Sequence, residues 1–203
     1  MTGRFPKART VASALLVAGL IAGLAACTSD PLADQYREGD NKGFVAADGF
    51  RVVEIPADER TDPVEFTGVL DNGETTSNAD YAGDVMVVNF WYAGCAPCRV
   101  EAAELAAADA AFEGQDVAFL GVNLYDGAAA SLAFADKYGV EYPSALATQD
   151  GSIKLAFAGE TPLSAVPSTL VLDKQGRVAA RIIGQLEEAS ILETLVRETL
   201  EES

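Results

Sequence analysis

The 203-residue chain has no histidine, three cysteines, two methionines and one tryptophan. Without histidine it lacks the commonest metal ligand and the commonest general base near neutral pH. A zinc site built on Cys95 and Cys98 would need two further ligands, and only the distant Cys27 and carboxylates are there to supply them. Basic residues are also scarce, 14 Lys and Arg against 31 Asp and Glu, for a net charge of −17. Nucleic-acid phosphates and anionic lipid surfaces repel such a chain, which argues against nucleic-acid binding. The apolar run near the start, Val11 to Leu24, is too short to cross a bilayer comfortably as a permanent helix.

That run reads as part of an export signal for a lipid-anchored protein, with an uncleaved anchor or plain secretion as the alternatives. Arg4, Lys7 and Arg9 form a positive head, the uncharged run follows, and Ala25 and Ala26 lead into Cys27. Head, short apolar stretch and small-residue cleavage zone describe a secretory signal over residues 1–26. Leu24-Ala25-Ala26-Cys27 resembles the bacterial lipobox, which implies cleavage before Cys27 and lipid attached to its sulfur. Stable anchoring then rests on two or more acyl chains. Lipidation of Cys27 also resolves the odd cysteine count and leaves one pair. Residues 27–48, polar and glycine-containing, read as the lipidated cysteine and a tether, and residues 49–203 as the folded domain. With the three basic groups of residues 1–26 removed, the remainder carries −20.

Within the domain the pattern is α/β. Phe50 to Ile55 and Val64 to Val69 read as strands of a small N-terminal β extension. Asp71-Asn72-Gly73 then follows as a tight hairpin turn, in which both Asn and Gly tolerate positive φ. Val85 to Phe90 is a continuous apolar run, as in a strand buried on both faces. Arg99 to Phe112 is rich in Ala, Glu and Leu and reads as a helix. Val117 to Leu124 is strand-like, and Ala128 to Tyr138 is a helix stopped by Gly139. Thr169 to Leu172 and Val178 to Ile183 form a hairpin about Asp173–Gly176. Leu192, Val196 and Leu200 mark a last amphipathic helix. Strand–helix alternation followed by a hairpin and a helix predicts helices packed on a central sheet.

The chemistry gathers at Asn89-Phe90-Trp91-Tyr92-Ala93-Gly94-Cys95-Ala96-Pro97-Cys98-Arg99, where a buried strand passes into a helix. Cys95 at the helix start faces unpaired N–H groups and the positive end of the dipole, both of which favour a thiolate. Cys98, one turn inside, is expected to be the more buried, resolving thiol. Pro97 suits the first turn. A zinc half-site, a structural staple and a peroxide-reducing centre remain open as other uses of the pair. Trp91 is expected beside the disulfide as part of the binding surface.

Asn-Phe-Trp-x-x-x-Cys-x-Pro-Cys-Arg after a buried strand resembles the thioredoxin superfamily, most closely its membrane-tethered TlpA/ResA-like branch. The resemblance runs from about Val64 to Ile191. It implies a thioredoxin fold: a central mixed sheet flanked by helices, with an N-terminal β-hairpin extension and an inserted helix. It implies a redox-active Cys95–Cys98 disulfide in place of a cofactor or metal. In Ala165-Val166-Pro167-Ser168-Thr169 it implies a cis proline facing that disulfide, leaving the Val166 backbone free to pair with an extended substrate. An acidic residue ahead of the inserted helix matches Asp126, which the resemblance makes a proton acceptor for Cys98; a solvated cap of the helix from Ala128 is the other reading. Where cytoplasmic thioredoxins carry a buried Asp, this chain has Asn89. Copper-chaperone relatives use CxxxC and a histidine, which this chain lacks.

The implied activity is extracytoplasmic thiol–disulfide exchange, with reduction of exported proteins, apocytochrome c among them, as the leading direction. An integral membrane thiol–disulfide transporter would recharge the pair. An oxidase of exported proteins and a non-catalytic peptide-binding module are the alternatives.

Overall fold

The computed structural model describes residues 44–45, 51–162, 164 and 166–202. The expected signal segment, Cys27 and most of the expected tether lie outside the described residues, as does Ala165. The strands are β1 (Phe44–Val45), β2 (Arg51–Glu54), β3 (Thr67–Val69), β4 (Thr75–Ser77), β5 (Val85–Trp91), β6 (Val117–Asn123), β7 (Ser144–Leu146), β8 (Ser168–Leu172) and β9 (Val178–Ile183). The α-helices are α1 (Ala96–Ala111), α2 (Ala128–Tyr138), α3 (Ser152–Ala156) and α4 (Ala189–Glu201). Among the described residues no helix is long and apolar enough to cross a membrane.

Seven strands form one mixed sheet in the order β1-β2-β9-β8-β5-β6-β7. β5 lies at its heart, parallel to β6 and antiparallel to β8, with all seven of its residues buried. Side chains alternate across a strand, so β5 serves two cores. Met86, Val88 and Phe90 pack with Phe66, Ile153 and Phe157 on the face carrying α3 and the β3–β4 hairpin. Val85 and Val87 pack with Leu105 of α1 and Leu192 and Val196 of α4 on the opposite face. The same alternation turns Asn89 and Trp91 toward α1. α2, the inserted helix, connects the parallel strands β6 and β7 and ends on Gly139 at φ 70°, a left-handed cap that glycine adopts without penalty.

Three N-terminal expectations are corrected. The Phe50–Ile55 strand does not stand apart as an extension: β2 pairs with β9 inside the main sheet, and buried Val52 joins the core with Ile182. Phe44 and Val45, within the stretch read as tether, pair with Val52 and Arg51. The hairpin after Val69 is formed with β4, across a three-residue loop closed by Leu70 N–H to the Glu74 carbonyl at 2.8 Å. Only Gly73 there has positive φ, 88°, so Asn72 is not used as a left-handed turn residue.

Candidate active site

β5 delivers the chain to the sheet's end at Trp91, and four residues later Cys95 caps α1. The Cys98 backbone N–H donates to Cys95 Sγ at 3.1 Å. The sulfur thus occupies the place of a side-chain N-cap acceptor, among the unpaired N–H groups of the first turn. Pro97 sits in that turn, where no intrahelical donor is lost. Cys95 and Cys98 are joined as a disulfide, with Cα atoms 5.3 Å apart. A negative charge left on Cys95 by reduction would be held by the same N–H and the helix dipole.

The expected contrast in burial between the cysteines is nearly absent: Cys95 is 3% exposed and Cys98 2%. In the disulfide, Cys95 Sγ is drawn under the helix start, with Tyr92, Ala93 and Val166 packed against the cluster. The approach that remains is over Gly94 and Ala96, both exposed and both small. A side chain at 94 would meet the Tyr92 ring at 3.3 Å.

Trp91 is 5% exposed and therefore lies beneath the disulfide, not on the surface expected for it. The reason is long-range. Phe134 of α2 covers the indole at 4.2 Å between ring centroids, and indole Nε1–H donates to Ser144 Oγ of β7 at 3.2 Å. Gly121 of β6 makes room: a Cβ there would overlap Ser144 Oγ and come within 2.8 Å of Trp91 Nε1. Gly121→Ala is expected to break the indole bond, lower stability by about 1–3 kcal/mol and red-shift tryptophan emission. Trp91 is the sole tryptophan, so fluorescence during thermal unfolding reads both effects at once.

The Val166–Pro167 peptide bond is cis. Val166 is half-buried against the cysteine cluster, Pro167 is buried, and the Pro167 carbonyl accepts Gly184 N–H at 3.0 Å. Among the described residues nothing hydrogen-bonds the Val166 backbone.

Asp126 is committed elsewhere than to a cysteine or a helix cap. Its Oδ2 accepts the Ala93 N–H at 2.6 Å and the Asn123 side-chain amide at 3.1 Å. Ala93 is two residues before Cys95, so Asp126 ties the loop after β6 to the loop that carries the motif. α2 begins at Gly127 without a side-chain cap.

The carboxylate that sequence reasoning missed is Glu101, 1% exposed on α1. Its Oε1 accepts the Asn89 amide at 3.0 Å and its Oε2 the Leu186 N–H at 2.8 Å; Asn89 also donates to Thr169 Oγ1 at 3.1 Å. Burial pushes the Glu101 carboxyl up to about 7, against these two hydrogen bonds, which favour the charged form. Glu101 lies three residues beyond Cys98 on the buried stripe Cys98-Glu101-Ala102-Leu105-Ala108. Its partner Asn89 lines the same small cavity as Cys98. The signal was present in the sequence: a helix starting at Cys95 puts Cys98+3 on the inner face, opposite a polar strand residue.

A thioredoxin-like sheet with a cysteine pair at the start of its first long helix defines a thiol–disulfide oxidoreductase. The chain belongs to the AhpC/TSA family, whose model matches residues 60–181. It is similar to the thiol-disulfide oxidoreductase ResA of Bacillus subtilis, 29% identical over 133 residues, 66% of this chain and 72% of that one. It is also similar to the thiol:disulfide interchange protein DsbE of Pseudomonas aeruginosa, 27% identical over 124 residues, 61% of this chain and 64% of that protein. Among solved structures, a DsbF homologue from Corynebacterium diphtheriae matches 76% of this chain and 97% of its own, with 29% identity and a TM-score of 0.62.

Proposed function

We propose that this protein is exported, anchored by lipid on Cys27 at the outer face of the cell membrane, and reduces disulfides in other exported polypeptides. The observation that carries the exchange chemistry is Cys95 Sγ at the cap of α1, receiving the Cys98 N–H with Val166 packed beside the cysteine pair. An extended substrate segment pairs with Val166 by strand addition. The Cys95 thiolate attacks one substrate sulfur, forming a mixed disulfide and releasing the other substrate sulfur as a thiolate. Cys98 gives up its proton, attacks Cys95 Sγ and expels the second substrate thiolate. The substrate gains two electrons and the enzyme is left as the Cys95–Cys98 disulfide.

Glu101 is the proton acceptor for Cys98 in this scheme. It is buried one turn away and its pKa of about 7 matches the task near neutral pH. Asp126 is a positioning residue that holds the Ala93 N–H. A membrane thiol–disulfide transporter returns the protein to its dithiol form.

The resemblance to the TlpA/ResA-like branch points to apocytochrome c as substrate, since its haem-binding cysteines must be reduced before haem is attached. A strain lacking this protein is expected to lose covalently bound haem from its c-type cytochromes while keeping disulfides in other secreted proteins. The Cys27→Ala form is expected to appear in the soluble extracytoplasmic fraction. Unchanged cytochrome c in the deletion strain sinks the substrate assignment, and membrane retention of the Cys27→Ala form sinks the anchor.

A further inference from the structure

Acidic residues outnumber basic ones by more than two to one in this chain, and several cations are claimed by carboxylates. Arg60 pairs with Asp173 and Glu202, Arg177 with Asp173, Arg181 with Glu160 and Lys174 with Asp116. Lys154 of α3 makes no ion pair among the described residues. Asp150, one turn earlier, is turned to the helix start, where it accepts the Ser152 N–H at 2.9 Å. The Lys154 ammonium instead lies 5.4 Å from the centroid of the Tyr125 ring. Tyr125 is 55% exposed and meets the Tyr92 ring edge-on at 5.1 Å, and Tyr92 packs directly on the cysteine cluster. A continuous path therefore runs from the disulfide over two aromatic rings to an ammonium with no carboxylate partner among the described residues.

We propose that Tyr125 and Lys154 form a recognition subsite for an acidic side chain of the substrate polypeptide. This rests on the thiol–disulfide exchange reading and adds a substrate preference to it. The ammonium is at most about 10.5 Å from the centroid of the Tyr92 ring, the reach of roughly three residues of extended chain at ~3.3 Å each. An Asp or Glu a few residues from the cysteine that joins Cys95 reaches Lys154, and its neighbouring apolar atoms rest on the Tyr125 ring. The ring's attraction for the cation holds the ammonium in place before the substrate arrives. The protein's overall charge repels acidic chains at long range, so the subsite acts on register and choice of substrate at contact.

The test uses the intact protein and a set of synthetic peptides, each with one internal disulfide. Glu, Gln or Lys is placed at successive positions from two to four residues away from each cysteine. Rates are referred, for each protein form, to the rate with a small uncharged disulfide. At low salt the Glu peptide is expected to exceed the Lys peptide in kcat/KM by about fivefold at one position, through KM, a factor typical of a surface ion pair. Lys154→Glu is expected to reverse that order and Lys154→Gln to flatten it. If the small disulfide turns over but the ranking of peptides is the same in wild type and Lys154→Glu, the subsite is overturned and the exchange reading stands. If neither the small disulfide nor any peptide turns over, the exchange reading falls and the subsite falls with it.

Discussion

Cys95→Ser is expected to lower disulfide turnover by at least about a thousandfold while leaving the domain folded, because a serine hydroxyl does not displace a thiolate from a disulfide. The fold survives for a local reason. Serine is among the preferred N-cap residues, and its oxygen can take the Cys98 N–H that Cys95 Sγ takes now. The lost bridge closes a loop of sequence separation 3, and so short a loop contributes less than a long one to constraining the unfolded chain. Helix content and thermal midpoint should therefore stay near wild type while activity disappears. Turnover of a model disulfide under excess dithiothreitol measures it; residual activity above about 1% of wild type after correction for the background reaction would place the nucleophile elsewhere.

Glu101→Gln is expected to remove a large pH-dependent contribution to stability between about pH 4.5 and 7. In the wild type the Glu101 carboxyl is raised from 4.5 to about 7. Below pH 4.5 it is protonated in both folded and unfolded chains and costs nothing. Between 4.5 and 7 the unfolded chain releases this proton while the folded chain keeps it. Stability therefore falls as pH rises through that window, by about 3 kcal/mol, and levels off above it. Gln carries no charge at either end of the range. Its amide must be accommodated by a turn of the Asn89 side chain, because Glu101 now accepts from two N–H donors. Denaturant unfolding of the oxidised protein at pH 4 and pH 8 reads the difference, which should shrink by about 3 kcal/mol in the variant. The break that Glu101 adds to the exchange rate near pH 7 should be lost in Glu101→Gln, leaving the pH dependence of thiolate formation at Cys95. An unchanged pH–stability slope would remove Glu101 as the titrating group.

What could be read from the sequence follows how local each determinant is. β5 was legible because an apolar run buried on both faces has one natural place in a sheet. α2 and β9 match their expected limits, since Gly139 and the turn at Asp173–Gly176 punctuate them. The cysteine pair opens a helix after a buried strand, as its sequence context predicts, and Val166 with its cis bond to Pro167 packs beside it, as the family resemblance implies. β4, β7 and α3 span three, three and five residues, too few to show a period, and neighbours hold them more than their own propensity does. Glu101 escaped notice because its burial is completed by Leu186, 85 residues along the chain. The burial of Trp91, expected as part of the binding surface, is set by Phe134 and Ser144, which cover it and come from beyond β6.

Trapping the covalent intermediate tests the account most directly. A Cys98→Ser protein mixed with a disulfide-bonded peptide is expected to gain one peptide mass, attached through Cys95 and released by dithiothreitol. The protein would stall there because the sulfur that completes the exchange is gone. An unmodified protein, or an adduct on any other residue, would contradict a reactive thiol at the cap of α1.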